Sequence, residues 1–335
     1  MGEFELLAKV RERLAPPGPR VRLGSGDDAA IVVPGGATAT SVDALLDGVH
    51  FRRADASLAQ IGRKALAAAL SDLAAMGAEA GEAYVVLGVP IDLDEDGCLE
   101  LLDGIAAVAA ETGTTLAGGD VSRAPALSLA ITVVGHAARA EDLVTRSGAR
   151  PGDILAVTGE LGGAAAGLLL LEEGGPAGAR SSFQPHSGDE GCRAGLLSRQ
   201  LQPRPRLEAG RALARAGATA MIDLSDGLGG DARHLAAASG VGLRIDAGAL
   251  PIAAGVAAVA AAAGRDPLAL AAGGGEDYEL LATLPGERFE AAAAAVAAAD
   301  GAGLARIGEA TAGAGVEIRL PGGGTLEPTG FDQLS

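Results

Sequence analysis

Apolar residues at Phe4, Leu7, Val10 and Leu14 recur at helical spacing and predict a helix over residues 3–14. Short apolar runs at Ala29–Val33 and Ala37–Val42 predict strands. Ile61, Leu66, Leu70 and Leu73 mark the inward face of a long helix over Ser57–Met76. A strand over Ala83–Val89, a helix over Glu95–Glu111 and a strand over Ser128–Val134 complete a first domain, residues 1–138. A second pattern starts near Arg150-Pro151-Gly152-Asp153. It predicts strands over Asp153–Thr158, Ala218–Asp223, Val241–Asp246, Tyr278–Leu284 and Leu304–Ile307. Helices are predicted over Gly163–Leu171, Arg206–Ala216 and Leu228–Ala238, with Ala-rich helices at 253–263 and 287–299. Residues Pro176–Pro205, rich in Pro, Gly and Ser, read as a long loop with room for one short helix. No repeat of 20–50 residues is evident. The whole reads as an α/β (α+β) chain of two domains, 1–138 and 139–335.

Composition narrows the function classes. The 335 residues carry 43 Asp+Glu against 26 Lys+Arg, a formal net charge of −17. That balance argues against nucleic acid or an anionic membrane surface as a partner. The mean hydropathy of +0.28 comes largely from alanine, and the longest apolar stretch falls short of the roughly 20 residues that span a bilayer. The acidic start, Met1-Gly2-Glu3-Phe4-Glu5, is unlike a signal peptide, so a soluble, cytoplasmic protein is expected. Two cysteines, Cys98 and Cys192, cannot build a disulfide framework or a thiolate zinc site, and four histidines make a His-built metal site a poor expectation.

Candidate chemistry lies in six short segments that set acids beside glycine or at element ends: Gly24-Ser-Gly-Asp-Asp28, Ser41-Val-Asp43, Ser71-Asp72-Leu73, Gly118-Gly-Asp120, Asp223-Leu-Ser-Asp-Gly227 and Gly273-Gly-Gly-Glu-Asp-Tyr278. One such segment alone reads as a turn or helix cap. Six together point to hard, oxygen-ligated cations such as Mg²⁺, with glycines letting the backbone approach phosphates. The reading is a nucleotide held through several Mg²⁺ ions. No Gly-x₄-Gly-Lys-Ser/Thr motif is present, and Lys9 and Lys64 are the chain's lysines. Carboxylate-bound metal and an arginine would have to do the phosphate work.

These motifs resemble those of the thiamine-monophosphate kinase family, within the ATP-binding superfamily of aminoimidazole ribonucleotide synthetase. The resemblance runs through GEFELLAKV, LGSGDDAAIV, SVDALLDGVHF, KALAAALSDLAAMGA, LAGGDVSR, TRSGARPGDILAVTG, RPRLEAGRAL, IDLSDGLGGD, GGGEDYEL and GFDQL. It implies a two-domain aminoimidazole ribonucleotide synthetase-like fold whose N-terminal domains pair in a dimer. It also implies direct in-line transfer of the γ-phosphoryl of ATP to thiamine monophosphate. By position, Asp28, Ser41, Asp43, Asp72, Asp120, Asp223 and Asp226 match the family's metal ligands, with Asp27 a further ligand or a neighbour of one. Gly119, Asp120, Arg146 and Ser225 match ATP contacts. Asp43, Asp120 and Arg146 are the residues implied to carry the transfer. His50 and Glu276 match positions that hold the thiamine phosphate.

Each assignment has a plainer counterpart. His50 could cap a strand end, Arg146 could tether the linker to a carboxylate, and either Glu276 or Asp277 could be the structural member of that pair, with Glu276 preferred for the substrate. Asp231 reads as a cap or surface acid, and His136, Cys98 and Cys192 receive no role. Two positions depart from the family pattern. Val42 stands where the family has Thr, so a metal contact there would need the backbone carbonyl. Pro328 stands where an aromatic is usual, so a ring contact to the substrate weakens or passes to Phe331. Alternatives are another ATP-using member of the superfamily and a non-catalytic nucleotide-binding relative.

Overall fold

The computed structural model describes residues 3–25, 29–173 and 190–331. Asp27 and Asp28 lie outside the described residues, as do residues 174–189 and 332–335. The chain divides into two compact units, residues 1–73 with 78–140 and residues 74–77 with 141–335.

The first unit contains α1 (Glu3–Arg13), β1 (Val21–Leu23), β2 (Ile31–Val32), β3 (Ala37–Leu46), most of α2 (Leu58–Ala75), β4 (Glu79–Val89), α3 (Glu95–Thr112), β5 (Thr115–Arg123) and β6 (Ser128–Ala137). β1 and β2 pair with each other, while the other four strands form one sheet in the order β3-β6-β4-β5. The strands alternate because one face is covered: Leu129, Ile131 and Val133 of β6 are buried, as are Val85 and Leu87 of β4. α2 and α3 meet at two glycines. A Cβ on Gly62 would lie 2.0 Å from the Leu101 carbonyl, and one on Gly104 2.0 Å from that of Ala59. The Asp94 carboxylate caps α3 by accepting the Gly97 N–H at 2.9 Å. The opposite sheet face exposes Val42 (67%), Val86 (48%) and Leu46 (41%).

The second unit contains β7 (Ile154–Thr158), α4 (Gly163–Glu173), α5 (Glu190–Leu201), α6 (Leu207–Ala216), β8 (Ala220–Asp223), α7 (Leu228–Ser239), β9 (Gly242–Asp246), α8 (Val256–Ala262), α9 (Pro267–Gly273), β10 (Leu280–Leu284), α10 (Phe289–Asp300), β11 (Leu304–Thr311), β12 (Gly315–Arg319) and β13 (Thr325–Leu326). The strands form one sheet in the order β13-β12-β9-β11-β7-β10-β8, antiparallel except for the β12–β9 pair. Its central strands β7 and β10 are buried at every position, as their continuous apolar runs demand. A satellite core joins Ala166 and Leu170 of α4, Leu196 of α5, Val256 and Val259 of α8 and Leu270 of α9.

Within the stretch Pro176–Pro205, read as a loop with room for one short helix, the described part contains the 12-residue helix α5, and the part up to residue 189 lies outside the described residues. Gly, Arg and Ser dilute the apolar stripe of α5. Its burial comes from a close approach to α4, where a Cβ on Gly167 would lie 2.3 Å from the Leu196 carbonyl. No single helix among the described residues is long and apolar enough to cross a membrane.

Candidate active site

The predicted residues fall into two groups, one in each unit. In the first unit, Ser41 and Asp43 share the covered face of β3, and Val42 points to the other face. The Ser41 hydroxyl donates to Asp72 Oδ2 on α2 at 2.5 Å. Asp43 Oδ1 accepts the Ala44 N–H at 2.8 Å. Beyond β3 the chain turns, and the Leu46 N–H donates to His50 Nδ1 at 3.1 Å. His50 therefore does serve the strand end, and this bond also fixes its chemistry: the neutral ring carries its proton on Nε2.

Asp120 lies on β5, where Ser122 Oγ donates to its Oδ2 at 2.9 Å. Gly119 before it is required by the sheet, since a Cβ there would sit 2.1 Å from the Val85 carbonyl of β4. The register aligns Asp43 with Ile131, Ile131 with Val85, and Val85 with Gly119. Asp43 therefore shares a face with Gly119, and Asp120 projects from the opposite, open face. β3 and β5 are the two edge strands of this sheet.

In the second unit, the loop after β8 packs backbone to backbone against residues 273–279. The Glu276 N–H donates to the Ser225 carbonyl at 2.8 Å and the Tyr278 N–H to that of Leu224 at 2.9 Å. Glu276 (φ 66°) and Tyr278 (φ 49°) adopt the left-handed conformation, uncommon for residues with a side chain. The Asp277 carboxylate accepts the Gly162 and Ala164 N–H groups at 2.7 and 3.0 Å, holding the start of α4. Desolvation pushes its pKa up to about 7. Asp277 is thus the structural member of the pair, and Glu276 Oε2 accepts from Gln200 Nε2 at 2.6 Å.

The C-terminal segment closes over the same loop. The Phe331 N–H donates to the Asp226 carbonyl at 2.9 Å, and the ring is 60% exposed. Gly229 admits this segment, because a Cβ there would meet the Thr329 carbonyl at 2.6 Å. Asp223, Ser225, Asp226, Glu276 and Phe331 are thereby brought onto adjoining loops. Arg146 lies beside β8, where the Thr145 carbonyl accepts the Met221 N–H at 3.0 Å. Its own carbonyl accepts from Ser239 Oγ at 3.0 Å, and its exposed guanidinium has no carboxylate partner among the described residues. The tether reading for Arg146 therefore finds no ion pair.

Asp231 is corrected: it is a cap, but a buried one, 2% exposed. Its Oδ2 accepts the N–H groups of Asp226 and Gly227, both at 3.1 Å. Burial, then the charges of Asp223 and Asp226, push its pKa up to about 8, against two N–H bonds that pull it down. In an unfolded chain an Asp titrates near 4. Between those values the native state holds a proton that the unfolded state releases, so stability falls as pH rises from about 4 to about 8. In urea unfolding of metal-free protein, Asp231→Asn is expected to flatten that fall measurably. An unchanged slope would show that Asp231 is ionised throughout.

Among the described residues no three His, Cys, Asp or Glu side chains gather closely enough to hold an ion. The donors are nevertheless all carboxylate or hydroxyl oxygens, the set that suits Mg²⁺ rather than a softer metal.

A two-unit fold with acidic glycine loops in both halves defines a class. Residues 26–137 match the N-terminal domain of AIR synthase related proteins, and residues 150–321 match the C-terminal domain. Within that class the chain belongs to the thiamine-monophosphate kinase family. It is 40% identical to thiamine-monophosphate kinase of Mycobacterium tuberculosis (strain ATCC 25618 / H37Rv), over 80% of this chain and 76% of that protein. The crystal structure of thiamine-monophosphate kinase from Stenotrophomonas maltophilia K279a is 35% identical, with a TM-score of 0.82 over 95% of this chain and 96% of that one. AaThiL complexed with AMPPCP and TMP is 29% identical, with a TM-score of 0.76 over 98% and 94% of the respective chains.

Proposed function

We infer that this protein transfers the γ-phosphoryl group of ATP to the phosphate of thiamine monophosphate, giving thiamine diphosphate and ADP. The observation that carries this reading is the likeness, over 98% of the chain, to AaThiL, solved with an ATP analogue and TMP. An acceptor phosphate oxygen is already ionised at neutral pH, so no strong general base is needed. The difficulty is charge: two anions must meet on a chain of net charge −17.

Magnesium ions, when bound, would neutralise the transferring phosphates and span the gap to the acids. Ser41, Asp43, Asp72, Asp120, Asp223 and Asp226 would hold them, with Val42 contributing a carbonyl at most and Asp28 as a further ligand. Arg146 offers an exposed cation, and Gly119 and Ser225 offer polar backbone or hydroxyl contacts to ATP. His50 presents Nε2–H as a donor to the acceptor's phosphate. Glu276 offers a negative charge to the positively charged base of thiamine, and the exposed Phe331 ring a surface for it to pack on. The division of labour follows the two domains, ATP and metal on 1–138 and completion of the acceptor cleft on 139–335. A cytoplasmic location suits an ATP-dependent step.

The reading includes a homodimer, for two physical reasons. The open sheet face of the first unit exposes Val42, Leu46 and Val86, an apolar patch that pairing would cover. Asp43 and Asp120 stand on opposite edges, three strand spacings or about 14 Å apart, and on opposite faces. Carboxylates bind magnesium at about 2 Å, so two residues so placed cannot share an ion within one copy. A second copy that brings its β5 edge toward β3 would remove the separation across the sheet. The overall reading is tested by incubating the protein with Mg·ATP and either thiamine monophosphate or thiamine. Thiamine diphosphate and ADP in equal amounts are expected from the monophosphate, and no product from thiamine. Phosphorylation of thiamine itself would overturn the assignment of the acceptor.

A further inference from the structure

Gln200, on the last turn of α5, is 4% exposed. Its Nε2 donates to Glu276 Oε2 at 2.6 Å. Its Oε1 is buried with no hydrogen-bond partner among the described residues. The neighbouring Arg199 binds the Glu160 carboxylate and also donates from Nη1 to the Glu160 carbonyl at 3.3 Å. The end of α5 thus grips two separate loops, one through Arg199 at Glu160 and one through Gln200 at Glu276. The grip at Glu276 falls on a residue already held in the left-handed conformation. Burying an amide with one end unpaired is unfavourable, and leucine would fill the same volume without that cost. What leucine cannot supply is the N–H that fixes the carboxylate.

We propose that Gln200 is a positioning residue for the acceptor site, holding the Glu276 carboxylate in the orientation that meets the cationic base of the thiamine phosphate. The proposal rests on the reading of Glu276 as an acceptor contact. Gln200 acts through Glu276 and touches no reacting atom, so its effect belongs on acceptor binding. It leaves nucleotide binding and the transfer step alone.

Steady-state kinetics of Gln200→Leu and Gln200→Glu, with Mg·ATP and thiamine monophosphate varied in turn, test it. Gln200→Leu is expected to raise KM for thiamine monophosphate about tenfold, the scale of a hydrogen bond to a charged group. KM for Mg·ATP is expected to stay unchanged, kcat to stay within about threefold, and Tm not to fall. Gln200→Glu sets two carboxylates against each other and is expected to raise the same KM further. An unchanged acceptor KM in both variants overturns the proposal, as does a parallel rise in both KM values with a lower Tm, which would give Gln200 a role in folding. A wild-type protein that forms no thiamine diphosphate would overturn the kinase reading instead, and the two failures are distinguishable.

Discussion

Asp43→Asn is expected to lower kcat for thiamine diphosphate formation by about three orders of magnitude or more while leaving the fold intact. The magnitude follows from what the carboxylate does in the proposed mechanism. The transferring phosphoryl group gains its stabilisation from fixed positive charge, and removing one anchor for that charge commonly costs a factor of 10²–10³ or more. Asn keeps the size of Asp and can still accept the Ala44 N–H that Asp43 Oδ1 accepts at 2.8 Å. The residue lies on an edge strand and is half-buried, and Asn has nearly the same shape, so the substitution is expected to leave Tm close to that of the unmodified protein. Circular dichroism and thermal unfolding check the fold, and turnover at saturating Mg·ATP checks the rate. A rate near that of the unmodified protein would remove Asp43 from the metal-holding set.

Mixing two inactive variants should restore activity. If Asp43 of one copy and Asp120 of another serve one centre, a dimer of Asp43→Asn with Asp120→Asn has one doubly altered site and one intact site. Equal amounts, unfolded together and refolded, give about half mixed dimers, each with one working site of two, so about a quarter of normal activity returns. Neither variant alone regains any. Failure to recover activity, with mixed dimers verified by mass, would mean that each site is built within one copy.

The strongly periodic elements were legible before any coordinates. The helix over Ser57–Met76 corresponds to α2, and the buried runs at Asp153–Thr158 and Tyr278–Leu284 to β7 and β10. The acidic loops were legible because glycine beside an acid at an element end is a local signal. Other features depend on tertiary context. β5 contains Gly118-Gly119-Asp120, which reads as a turn, yet it forms an edge strand because Gly119 lets it lie close to β4. Asp231 looks like a surface acid in any helical wheel, and only the return of the 226–227 backbone onto its carboxylate makes it a buried cap. Gln200 carried no signal, since its partner Glu276 lies 76 positions away in the chain. The split of Asp43 from Asp120 across the sheet is likewise a property of strand order, which motif spacing does not contain.

Direct transfer between two phosphates is tested most closely by following the phosphorus. The protein is incubated with Mg²⁺, ATP labelled at its γ-phosphate and thiamine monophosphate, and the products are separated at early times. Label is expected in the terminal phosphate of thiamine diphosphate, matched by ADP, with none accumulating as inorganic phosphate or on the protein. Label released as inorganic phosphate, or no turnover of ATP at all, would contradict direct transfer.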